Sequence, residues 1–124
     1  DKIQLILEAT AKEYGVNEID IKGIRRMRKL VNPRFTVCIL AYKRLTSMGL
    51  AEIGSFLGGR DHTTILNSIN KGHIYLATED EFRYRHDRIL KEILPLLSVP
   101  GFKPQRPGLL IAKKHLEQVA GYIN

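Results

Sequence analysis

The chain has 124 residues, 44% of them hydrophobic and 27% charged, with a formal net charge of +7. That length fits one domain that can bury a core without disulfides or a structural metal. The single cysteine, Cys38, excludes an internal disulfide and a Cys-based metal site, and no apolar run approaches the ~18 residues needed to cross a bilayer, so a soluble protein of a reducing cytoplasm is expected.

Residues 3–14 place Ile3, Ile6, Leu7, Ala11 and Tyr14 at helical spacing, and Gly15 stops the pattern. A short helical turn is expected over 18–22 with Ile19 and Ile21 turned inward. The arginine-rich stretch 24–32 reads as a loop. Pro33 suits the first turn of the next helix, whose buried part runs over 35–45 and ends by Gly49. Leu50, Ile53 and Leu57 give a helix of about two turns, closed by Gly58 and Gly59. A further helix is predicted over 61–76, with Leu66, Ile69, His73 and Leu76 facing inward. Thr78 and Glu81 have the Ser/Thr-x-x-Glu spacing of a capping box, which predicts a helix over 78–93 with a solvated charged face. Pro95, Pro100, Pro104 and Pro107 then mark a connector over 94–108, before a last helix over 109–122. The fold class expected is therefore all-α, divided into a domain of residues 1–94 and a proline-rich connector with an additional C-terminal helix over 95–124.

The joint between the two middle helices carries the chemistry. Gly58-Gly59 ends one helix without a Cβ clash, and Asp61 can cap the next by accepting a backbone N–H. This is a helix-turn-helix pattern in which Arg60, Asp61, His62, Thr63 and Thr64 occupy the end able to enter a major groove. The charge agrees with it: the stretch 22–60 holds nine basic residues against one acid, Glu52. A basic block beside such a joint is the electrostatic footprint of a polyanion binder. A solvated surface loop is the plainer reading of the same block. It lacks the aromatic-bearing apolar face of a membrane-surface helix, so no membrane partner is expected.

These residues resemble the C-terminal origin-binding domain of the bacterial replication initiator DnaA family. Gly58-Gly59-Arg60-Asp61-His62-Thr63-Thr64 reads as its signature, Leu50-Ala51-Glu52-Ile53-Gly54 resembles the segment leading into it, and Arg25-Arg26-Met27-Arg28 with Pro33-Arg34 resembles its basic loop. The resemblance covers roughly residues 3–90 and implies a Trp-repressor-like helical fold whose partner is double-stranded DNA. It implies base contacts from Asp61, His62 and Thr63 in the major groove and from Arg26 in the adjacent minor groove. It also implies backbone contacts from Arg25, Arg28, Arg34, Lys43, Arg60, Thr64 and Asn67. The pairings are chemically sensible, since a carboxylate accepts from cytosine N4 and an arginine is drawn to a narrow A·T-rich minor groove. The chain departs from the family pattern at Phe35, where Gln is usual, at Asn67, where His is usual, and by one extra residue between Pro33 and Gly58.

Other readings weigh less. Adjacent helical residues point ~100° apart, so Asp61 and His62 are poorly placed to act as a base and its support, and no enzymatic activity is expected. No phosphate-loop motif occurs, no two histidines have ligand spacing, and neither a metal nor a cofactor is expected. His73 is expected to be partly buried, and His86 and His115 exposed. A transcriptional repressor or a phage or mobile-element regulator would use the same domain, and the last helix, with Leu109, Leu110, Leu116, Val119 and Ile123, could dock a protein partner or a second copy. The opening on Asp1 rather than methionine fits a piece of an initiator or a processed product, located in a bacterial cytoplasm or nucleoid.

Overall fold

The computed structural model describes residues 1–24 and 27–97, and these form helices without any strand. They are α1 (Lys2–Tyr14), α2 (Glu18–Lys22), α3 (Arg28–Arg44), α4 (Leu50–Phe56), α5 (His62–Thr78) and α6 (Asp80–Leu97). The all-α expectation holds over the described residues. The connector and last helix expected beyond Leu97 lie outside them.

The α1 helix stops as its sequence dictates. Gly15 adopts the left-handed conformation (φ 65°), and its N–H and that of Val16 return to the carbonyls left open at the helix end. The α3 helix is the central element, packed on each of the other five. Leu30, Val37, Leu40 and Ala41 from α3 are buried with Ile6 and Leu7 of α1, Ile65 and Ile69 of α5, and Phe82, Ile89 and Ile93 of α6. Burying a side chain of this size contributes about 1.5–3 kcal/mol, which outweighs the local preferences of individual residues.

Four sequence expectations are corrected by that packing. First, α3 begins at Arg28 rather than at Pro33. Leu30 is fully buried and anchors the first turn, its N–H donating to the Met27 carbonyl at 2.9 Å, so Pro33 is carried inside the helix at the cost of one backbone hydrogen bond. Second, Ile19 is 82% exposed while Ile21 is buried, because residues two apart on a helix lie on nearly opposite sides. Third, Thr78 starts nothing: its hydroxyl donates back to the Ile74 carbonyl at 2.8 Å as the last residue of α5, and Glu81 instead accepts from Arg85. Fourth, α6 passes Pro95 and reaches Leu97, held by the burial of Ile93 and Leu97, rather than ending near Ile93.

The charged face of α6 is also less solvated than its sequence implies. Arg85 donates to the Glu13 carbonyl at 2.8 Å and lies over the Tyr14 ring, and Arg88 donates to the Glu13 carboxylate at 3.0 Å, which ties α6 to the end of α1. His86 is buried rather than exposed, with Nδ1 donating to the Asp87 carboxylate at 3.0 Å. His73 is buried as expected. The inward face of α5 is Ile65, Ile69, Gly72 and His73, with Leu66 and Leu76 half-buried beside it.

Candidate nucleic-acid interface

The turn between α4 and α5 is built on glycine. After Phe56 the chain passes Leu57 and enters positive φ at Gly58 (78°) and Gly59 (86°), and the N–H groups of Gly59 and Arg60 both donate to the Gly54 carbonyl, at 3.0 and 2.9 Å. A Cβ on Gly58 would lie 2.0 Å from the Lys22 carbonyl oxygen, so the turn rests directly on the end of α2. Asp61 then caps α5, its carboxylate accepting the Thr64 N–H at 2.8 Å. That backbone hydrogen bond holds the Asp61 carboxyl below its ordinary range, so it stays an ionised acceptor. The carboxylate is thereby oriented by Thr64 and not by His62.

Asp61, His62, Thr63, Thr64 and Asn67 are all exposed around this capped end, where free backbone N–H groups add partial positive charge. Lys71, one turn beyond Asn67 and also exposed, extends the row. Sequence reading passed over Lys71 because it lies beyond the basic block, although the i, i+4, i+8 spacing of Thr63, Asn67 and Lys71 marks a single face. Beside that face runs a groove of about 630 Å³, whose lining includes Ile24, Val31, Arg34, Arg60, Thr64, Ser68 and Lys71.

The expected backbone-contact residues do not gather in one place. Thr64 and Asn67 sit at the α5 tip. Arg28 is exposed on the first turn of α3 and lines a separate cleft with Tyr14, Glu79 and Arg85. Lys43 exerts its charge on His73 and His86, about three turns along α5 from His62. Arg34 and Arg60 are half-buried, with their guanidinium groups donating to backbone carbonyls. Burial lowers the pKa of both, and the charge of Arg60 lowers that of Arg34 further. Arg25 and Arg26, the latter the expected minor-groove reader, lie outside the described residues.

One departure from the family pattern has a structural account. Phe35 meets the Tyr75 ring edge-on with centroids 5.5 Å apart, and Tyr75 meets Phe82 likewise at 5.7 Å, so the aromatic residue at 35 joins α3, α5 and α6 in one stack. Asn67 keeps a polar side chain at the tip. Cys38 is buried with its thiol pushed up to about 12, and among the described residues no group of His, Cys, Asp or Glu side chains could hold a metal ion.

A family model described as the bacterial DnaA protein helix-turn-helix matches residues 3–71, more than half of the chain. The chain belongs to the bacterial DnaA helix-turn-helix family. Its curated relatives include the chromosomal replication initiator protein DnaA of Bartonella quintana, 38% identical over 93 residues that cover 75% of this chain and 18% of that protein. The DnaA of Geobacter sp. (strain M21) is 31% identical over 91 residues, covering 73% of this chain and 20% of that protein, and the DnaA of Caulobacter vibrioides is 42% identical over 66 residues, covering 53% and 13%. The chain thus spans about a fifth or less of the length of these relatives. The described fold is that of a DNA-binding module of the DnaA family, and none of its described helices is long and apolar enough to cross a membrane.

Proposed function

We propose that this chain recognises a short double-stranded site of the replication-initiator-box type, with Asp61, His62 and Thr63 reading base edges in the major groove. Thr64, Asn67 and Lys71 face the adjoining phosphates. The observation that carries this reading is the exposed, capped tip of α5, which sets an ionised acceptor, an imidazole and a methyl-bearing hydroxyl side by side at a helix end free of covering side chains. Arg26 supplies the minor-groove contact in this reading, and Arg25 and Arg28 add phosphate contacts. The physiological setting is initiation or control of DNA replication in a bacterial cytoplasm, as part of a longer initiator. No cofactor takes part in recognition.

The two kinds of contact separate in a binding experiment. His62→Ala is expected to lower the preference for an initiator-box duplex over a scrambled one by about tenfold or more, the scale of one base contact, with the scrambled duplex bound as before. Asp61→Asn retains a good capping residue and removes the charge, so it alters base preference with little change in thermal stability. Lys71→Ala is expected to weaken both duplexes alike and to reduce the salt slope by about one. Fluorescence anisotropy across a salt series reads all three. Parallel losses on both duplexes for His62→Ala would remove it from base reading.

A further inference from the structure

The end of α2 presents a run of backbone carbonyls, from Asp20, Ile21, Lys22 and Gly23. A helix leaves its last carbonyls without intrahelical partners and carries partial negative charge there, and α2 has only five residues with which to compensate. Its cap provides one bond, from the Gly23 N–H to the Asp20 carbonyl. The remaining acceptors are taken up by two arginines from distant parts of the chain. Arg34 of α3 donates through Nε to Ile21 at 2.8 Å and through Nη2 to Asp20 and Gly23, each at 2.9 Å. Arg60 of the helix-turn-helix joint donates through Nη1 to Lys22 at 3.3 Å and to its own Leu57, and through Nη2 to Gly23 at 2.5 Å.

Both guanidinium groups therefore converge on the Gly23 carbonyl, two residues before Arg25. Two like charges share a partly buried site, which is costly unless the carbonyl oxygens and the helix end offset it. The junction lies where the core gives way to the surface: Ile21 within the carbonyl run is buried, and Ile24, next along the chain, is 89% exposed. The close approach of Gly58 to the Lys22 carbonyl brings the turn onto the same carbonyl run. Lys22 itself is held by its ammonium over the Phe56 ring of α4 at 4.5 Å, another tie between α2 and the helix-turn-helix.

From this arrangement we infer that Arg34 and Arg60 are positioning residues, a paired clamp that fixes where the basic segment leaves α2 relative to the reading tip of α5. The inference rests on the proposed DNA reading for its consequence, and on hydrogen bonds within the chain for its mechanism. A clamp of this kind couples the two reading elements. The tip follows Arg60 directly in sequence, so one shared acceptor ties the reading tip to the point where the chain leaves α2.

Two measurements on the full chain test it. Spin labels placed by Ile24→Cys, directly after the shared Gly23 acceptor, and Asn67→Cys report the distance from the end of α2 to the tip without DNA, with buried Cys38 unreactive. A narrow distribution in the parent is expected to broaden in Arg60→Gln and in Arg34→Gln at temperatures far below their melting points. An unchanged narrow distribution in both overturns the clamp. In the unlabelled proteins, either substitution is expected to reduce box-over-scrambled discrimination at least tenfold while leaving the affinity for scrambled DNA within about twofold and the salt slope intact. Parallel losses on both duplexes with a slope lowered by about one would make these arginines phosphate contacts and overturn the inference. Should Arg60→Gln fail to fold, Arg34→Gln, which leaves the turn untouched, decides the question. If the parent protein shows no discrimination at all, the proposed function fails, while the distance measurement still settles the clamp.

Discussion

Gly58→Ala is expected to lower the unfolding free energy by about 3 kcal/mol, against about 1 kcal/mol for Gly59→Ala. Both glycines sit at positive φ, 78° and 86°, so alanine pays a similar backbone penalty at either. Their surroundings differ. A Cβ at Gly59 meets nothing within 4 Å, whereas one at Gly58 would lie 2.0 Å from the Lys22 carbonyl oxygen and 3.2 Å from its carbon. Backbone on both sides of that contact leaves nothing flexible to give way. Relief requires the turn to lift off α2, which breaks the Arg60 bonds to Lys22 and Gly23 as well. Urea unfolding of the two variants measures the difference, and on this size of domain the larger loss corresponds to a melting temperature lower by roughly 10 °C. Equal losses at the two positions would mean that the turn does not rest on α2. The same variant is expected to lose duplex discrimination at a temperature where it remains folded, because it disturbs the junction held by the clamp.

The second large effect is a dependence of stability on pH that carboxylates do not explain. His73 is 5% exposed, neither ring nitrogen has a hydrogen-bond partner among the described residues, and burial, followed by the charges of Lys43 and His86, pushes its pKa down to about 4 from 6.5. His86, facing the same region from α6, is lowered in the same direction by burial and by Lys43 and Arg44, partly offset by Asp87. Both imidazoles are neutral in the folded protein where the unfolded chain has begun to bind protons. The folded state therefore keeps its full stability above about pH 6.5 and loses it as the pH falls toward 4, with a loss of about 3 kcal/mol from His73 and a further loss of the same sign from His86. Urea midpoints at pH 7.5, 5.5 and 4.5 are expected to fall steadily. His73→Phe is expected to flatten that fall while changing the midpoint at pH 7.5 little, since it removes a ring without hydrogen bonds. A wild-type midpoint that is constant between pH 7.5 and 4.5 would show that His73 titrates normally.

What could be read along the chain was what short spacing encodes. The α1 stop at Gly15, the glycine turn at 58–59 and the Asp61 cap follow from residues within a few positions of one another, and each is found where its sequence puts it. Errors arose where burial overrode local preference. Leu30 draws Arg28–Arg44 into one helix through Pro33, and Ile93 and Leu97 carry α6 through Pro95. At the site, the residue types of the tip and of the basic block were visible, but the partition of the arginines was not. Arg34 and Arg60 reach carbonyls 11 to 38 residues away, and no periodicity in a single sequence records a side chain that bonds to backbone at that separation. The burial of His86 escaped for a similar reason, as its position depends on how α6 lies against α3 and α5.

The central claim, that the capped tip of α5 reads bases while the surrounding cations grip phosphate, is tested most directly by competition anisotropy on the unaltered chain. An initiator-box duplex and a scrambled duplex of equal length are titrated from low to physiological salt. Both affinities are expected to fall along parallel lines of log K against log salt, with the box duplex held at least 100-fold more tightly throughout. Coincident lines for the two duplexes would contradict the account, leaving a basic surface that binds DNA without reading it.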